Sequence, residues 1–223
     1  MRSMRVAATL GITLALVGGP ALGAPKRACN LVTDPRGDGG LYGQVPPGTP
    51  AYPTSLDILS ADIASNNKQF TAVIRVDELV SLDPGSPTGI GYAFNVTVNK
   101  QRFALAASRT PGSEPVFTMS GRLEYVGDEN NGGATYGLIG LIDGVFDEDA
   151  SEIRMTAPLT YFTPKVKRGA RFDDLRLWSY YEAGYASDTE NRRPWGGVNH
   201  SADRAESRAT YAAGSPSCVK VGH

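Results

Sequence analysis

From Leu56 onward, apolar and polar positions alternate with a period of two, the spacing that puts successive side chains on opposite faces of a β-strand. Leu56-Asp57-Ile58-Leu59-Ser60-Ala61-Asp62-Ile63 reads as a strand with an irregularity near Ser60, and Asn66-Asn67-Lys68 as the turn after it. Phe70, Ala72, Ile74 and Val76 then alternate with Thr71, Val73 and Arg75, so the two runs predict a hairpin. Tyr92, Phe94, Val96 and Val98 alternate with Ala93, Asn95 and Thr97; Asn99-Lys100 makes a turn; Phe103, Leu105 and Ala107 return. Shorter strands are expected at residues 116–119 and 123–126. Residues 136–142 are apolar and contain Gly137 and Gly140, which inside a strand mark a bulge or a close backbone approach. Asp143-Gly144 is a hairpin turn signal.

Ile153, Met155 and Ala157 continue the alternation until Pro158, and residues 159–162 suggest a short helical or bridging turn. The longest candidate strand is 172–181, with Leu175, Leu177, Ser179 and Tyr181 on one face and Trp178 and Tyr180 on the other. Residues 183–201 are polar and irregular, and a last strand is expected at 209–212. No long window carries a helical period. Roughly nine to eleven short strands separated by turns predict an all-β chain, an antiparallel β-sandwich of jelly-roll or immunoglobulin-like type. No internal repeat or linker divides it.

The beginning of the chain breaks this pattern. Residues 1–5 are basic, 6–17 form an apolar run too short to span a bilayer, and 20–24 are small residues suited to cleavage between Gly23 and Ala24. The expectation is a signal peptide over 1–23 and one secreted domain over 24–223, with no transmembrane segment. Loss of Arg2 and Arg5 reduces the 22 basic residues to 20 against 23 acidic ones, a net charge of −3, which argues against nucleic-acid binding by bulk charge. Export also changes the meaning of the two cysteines. Cys29 and Cys218 stand at the ends of the exported part, and a disulfide between them would tie its termini together. Two free thiols, or metal ligation by the pair, are the alternatives.

Chemistry concentrates before the first strand. Asp34-Pro35-Arg36-Gly37-Asp38 puts two carboxylates around a tight turn, and Asp57 follows at the entrance to the apolar run. Calcium takes six to eight oxygen ligands, and carboxylates crowded together repel unless a cation neutralises them. Calcium bound by Asp34, Asp38 and Asp57, with Asp203 brought near by the disulfide as a fourth donor, is one reading; three capped turns are the other. Arg36-Gly37-Asp38 also spells an integrin-type tripeptide, a string short enough to arise by chance. Trp178, Tyr180 and Trp195 could stack on a sugar, with core packing as the alternative for the first two and the Arg/Pro/Gly loop around Trp195 favouring exposure.

The order Asp34-Pro35-Arg36-Gly37-Asp38, Tyr52-Pro53-Thr54, Leu56-Asp57-Ile58 and a strand ending in Asp77-Glu78-Leu79 resembles the DOMON-like β-sandwich modules, particularly the C-terminal domain of glucodextranase. It is similar in outline to family-nine carbohydrate-binding modules. The end of the chain, with Tyr211 and Gly214-Ser215-Pro216-Ser217-Cys218, looks like secreted proteins of high-GC bacteria. The specific likeness covers residues 30–80. It implies a jelly-roll-like sandwich, sugar or surface binding, and in some members a structural calcium ion, with Asp34, Asp38 and Asp57 at the matching acidic positions.

The expected function is therefore a non-catalytic binding module for glycan or cell-wall polysaccharide; the alternative is a structural or adhesive extracellular protein without a sugar ligand. There is no Gly-x-Ser-x-Gly elbow, His-Glu-x-x-His pair or phosphate loop to suggest an enzyme. His200 and His223 have no partner at metal-ligand spacing.

Overall fold

The computed structural model of the chain describes residues 27–39, 53–82, 88–122, 136–183 and 198–222. The expected signal peptide, the strand expected at 123–126, and Trp195 lie outside them. The described residues form a sandwich of two antiparallel sheets. One holds five strands in the order β1 (Val32–Thr33), β2 (Ile58–Ser65), β3 (Gln69–Val76), β9 (Glu152–Pro158) and β8 (Asp143–Asp147). The other has seven. Its order is β11 (Val198–Ser207), β10 (Arg171–Ala183), β4 (Thr88–Val98), β5 (Gln101–Arg109), β6 (Val116–Arg122) and β7 (Tyr136–Leu141), with β12 (Tyr211–Ala212) also pairing with β10.

The predicted hairpins β2–β3 and β4–β5 form, the second about Asn99 and Lys100, both at positive φ as a two-residue turn between twisted strands requires. The irregularity foreseen near Ser60 is a register shift between Ile58 and Ser60. The turn after Pro158 is a 3₁₀ segment, Leu159–Tyr161.

Between the sheets, Phe70 lies 4.8 Å from Phe172 and 5.3 Å from Phe162, centroid to centroid. Burying an aromatic or aliphatic side chain of this size contributes about 1.5–3 kcal/mol. The alternation predicts a wet outer face for β2 and β3, yet residues 61–65 and 70–74 are buried on both faces. The C-terminal tail accounts for this. Ser217 Oγ donates to Ile63 O (2.6 Å), Gly222 N–H to Thr71 Oγ1 (3.0 Å) and Arg154 to Lys220 O (3.1 Å), drawing the tail to the five-stranded sheet. Cys29 and Cys218 are joined in a disulfide, Cα to Cα 5.2 Å, beside a short parallel bridge between Ala28 and Ser217. Such a bond fits an oxidising compartment rather than the reducing cytosol. Among the described residues no helix is long and apolar enough to cross a membrane.

Three local readings need correction. Asp143-Gly144 is no hairpin turn: the chain leaves β7 at Leu141 and enters β8 at Asp143 in the opposite sheet. Residues 53–56 form a single helical turn, α1 (Pro53–Leu56), so the second strand starts at Ile58 rather than Leu56. Part of the segment read as irregular is β11, which pairs with β10 along its length.

Candidate metal centre

The carboxylates singled out in the sequence come from three places that the sandwich joins at one end. Asp34 follows β1, and its N–H donates to Leu59 O (3.0 Å), pinning the N-terminal segment alongside β2. The turn beyond it reverses at Gly37, whose φ of +82° is easy only for glycine. Asp57 sits between α1 and β2. Ser179 Oγ donates to Leu56 O, Tyr92 OH to Ser55 O, and Asp77 N–H to Asp57 O, so this corner is held from both sheets. Asp203 lies in β11 opposite Ser179, with inward parity shared with Ala205. The register shift beside it, where Ser179 pairs with Asp203 but Tyr180 with Ser201, leaves Ala202 as an extra residue, and a bulge of this kind re-aims the strand.

Carboxylate oxygens of Asp34, Asp38 and Asp203 lie within 4.8 Å of one another. Asp57 stands against the same cluster: its Oδ2 accepts Gly37 N–H at 2.7 Å, and its charge acts on both Asp34 and Asp203. Asp203 Oδ2 accepts Ile58 N–H (2.7 Å) and its Oδ1 accepts Arg204 N–H (2.6 Å). Two oxygens are left over: Asp34 Oδ2 and Asp57 Oδ1 are buried with no hydrogen-bond partner. Among the described residues, none of the ion pairs involves any of the four aspartates. Arg36, the nearest cation in sequence, pairs instead with Asp77 at 2.9 Å.

The electrostatic cost is visible in Asp34, whose pKa is pushed from 3.8 to about 7, first by burial, then by the charges of Asp203, Asp38 and Asp57 and by hydrogen bonding with Asp203. Burial also raises Asp203, against the lowering effect of its two backbone donors. Carboxylates gathered this closely repel one another unless something compensates their charge. A proton on Asp34 is one form of compensation and a cation is the other. The donor set is oxygen only, which suits a hard cation such as calcium rather than zinc or copper. The two partnerless oxygens are what an ion would be expected to satisfy, so the residues fit the group.

The aromatic candidates are placed differently. Tyr180 is buried, at 6% exposure, with its ring across Gly91, so close that a Cβ there would stand 2.3 Å from ring carbons. Trp178 is half-buried on the outer face, with the Arg204 guanidinium 5.7 Å from its ring centre, a cation–π distance. Reading by alternation also missed a switch of parity within β10. Phe172 and Leu175 are both in the core because the ladder skips at Asp174, at φ +50°. The side chains of Glu182 and His200 and all of Trp195 lie outside what is described.

Compared with family models, with curated proteins and with solved structures, the chain matches none.

Proposed function

We propose that this protein is a non-catalytic β-sandwich module that works outside the cytosol, binds glycan or cell-wall polysaccharide, and holds a structural calcium ion at Asp34, Asp38, Asp57 and Asp203. The observation that carries the metal reading is the convergence of four aspartates with two buried oxygens unpaired. When bound, the ion would supply positive charge and oxygen coordination, with loop carbonyls and water completing its shell. Asp57 and Asp203 are already engaged in holding the amides of Gly37 and Ile58, which favours a structural over a catalytic use of these carboxylates. The glycan part rests on the likeness of residues 34–79 to DOMON-like and carbohydrate-binding modules, to which a sandwich fold is suited.

Calcium should raise the melting temperature. An ion specific for the folded state adds about 2.7 kcal/mol at 100 times its dissociation constant but only about 0.4 kcal/mol at a concentration equal to it. Extracellular modules often bind calcium at about 10⁻⁴–10⁻³ M, so the titration must run well above a millimolar. Asp38→Ala is expected to abolish the rise, while Asp149→Ala, exposed and remote in sequence, keeps it. A melting temperature indifferent to both calcium and chelator would refute the metal site. A glycan array that returns no hit for the calcium-loaded protein would refute the sugar ligand and leave a structural or adhesive role.

A further inference from the structure

At the end of the sandwich opposite the acidic cluster, the described connections gather basic residues. β2 runs from Ile58, beside that cluster, to Ser65, roughly 23 Å away at the rise of an extended strand. Among the described residues, three connections meet at the far end: the turn at 66–68, the turn at 99–100, and the segment from 159 to 170 between β9 and β10. They bring Lys68, Lys100, Lys165, Lys167 and Arg168 together with Arg171 at the start of β10, and all six are exposed. None of them belongs to an ion pair among the described residues. Those three connections contain no acidic residue, whereas the segment 123–135, whose flanking residues Arg122 and Tyr136 pair at this same end, contains Glu124, Asp128 and Glu129. The nearest in sequence are Asp173 and Asp174 in β10, and Asp174 is paired with both Arg102 and Arg176. The described connections at this end are therefore basic.

The basic end also encloses space. A cavity of about 620 Å³ lies between the 66–67 turn and the 165–168 segment. That falls within the range of ligand pockets, about 300–1,000 Å³. Buried Leu159 and Val166 give it an apolar floor, and Asn67 stands on one wall. Val166 turns inward while its neighbours Lys165 and Lys167 stay exposed. The basic wall is held by the backbone: Gly169 N–H donates to Ala213 O (2.9 Å), Ala213 N–H to Ala170 O (2.8 Å) and Gly214 N–H to Ser65 Oγ (2.9 Å). Gly214 adopts φ +77°, a conformation that favours glycine, and Arg168 packs beside it. Cations on a wall held this way lose less entropy on binding than the same cations on a loose loop.

We propose that this basic end is the binding site for an acidic polysaccharide. Its carboxylate or sulfate groups would be held by Lys165, Lys167 and Arg168, with a sugar ring seated over Leu159 and Val166. The sugar class of the ligand rests on the function proposed above; the charge and the location come from the basic end itself. Nucleic acid fits less well, because single strands bind through aromatic stacking platforms and no aromatic residue lines this cavity.

The test is calorimetric titration of the calcium-loaded protein with heparin, hyaluronan, neutral dextran and single-stranded DNA. Heparin carries both sulfate and carboxylate and hyaluronan carboxylate only, and binding of either supports the site. Affinity should fall steeply between about 50 and about 200 mM salt. Lys165→Gln/Lys167→Gln/Arg168→Gln should weaken binding about tenfold or more with the melting temperature and its calcium response unchanged, and Lys220→Gln should bind as the parent does. Failure of both acidic glycans to bind overturns the proposal, as does binding that the triple variant or salt leaves unaltered, or DNA binding as tight as glycan. Binding of neutral glycans alone would overturn this site while leaving the glycan function standing.

Discussion

Asp34 shows how one residue makes stability depend on pH and on an ion at once. Its folded pKa of about 7 lies above the ordinary 3.8, so the folded protein holds this proton more tightly than the unfolded chain does. Without a cation, the resulting stability is fully present below pH 4 and is lost as pH rises through about 7. A chelated sample should therefore melt at a lower temperature at pH 8 than at pH 5.5, and saturating calcium should remove or reverse that difference. Asp34→Asn, which keeps the shape and discards the charge, should flatten the pH dependence in chelator and weaken the calcium response. A chelated protein equally stable at both pH values would show that the cluster is relieved by some other charge.

At the scale of elements, the sheets are organised by what a strand can place against its neighbour. Tyr180 and Gly91 are register partners across β10 and β4, and the ring occupies the space a side chain at 91 would need. Gly91→Ala should cost about 1–3 kcal/mol by overpacking. Combined with Tyr180→Ala, it should cost clearly less than the sum of the two single changes, because the cavity and the added methyl compensate. Strictly additive unfolding energies would place the Tyr180 ring elsewhere. Part of this was legible in the pattern: alternating apolar residues marked β2, β3, β4, β5 and β9. β8 was not, since its residues are exposed or half-buried and follow a sharp change of sheet rather than a turn. β11, rich in polar and charged residues, is a strand because β10 offers it a free edge.

On the scale of the whole molecule, the disulfide closes a loop of 189 residues around both sheets. Chain entropy assigns such a closure about 5 kcal/mol, an upper figure because measured gains often fall short. The Cys29→Ser/Cys218→Ser variant should shift the denaturant midpoint downward by a corresponding amount, and thiol titration of the unfolded, unreduced protein should find no free thiol. The bond also holds the tail containing Ser217 and Gly222, whose contacts with Ile63 and Thr71 help make β2 and β3 a buried layer. If reduction leaves the midpoint unchanged, those hydrogen bonds hold the tail without it.

The period-two pattern by itself determined the all-β class and most of the core, because apolar residues on one face of a strand have to be buried against a second sheet. Likewise the spacing of Asp34, Asp38 and Asp57 marked an acidic loop, and the two terminal cysteines marked a bond. Whether these carboxylates would meet was decided by tertiary structure alone. Asp203 lies more than 140 positions from Asp57, and the two act on one another because β11 pairs with β10 and bulges at Ala202. The basic end arose partly in the same way: Lys165, Lys167, Arg168 and Arg171 already cluster in the sequence, and the fold adds Lys68 and Lys100 from two other connections. Burial of Tyr180 and the dry outer face of β2 and β3 likewise depend on a neighbouring strand and a distant tail. Alternation tells which residues share a face; only packing says what covers it.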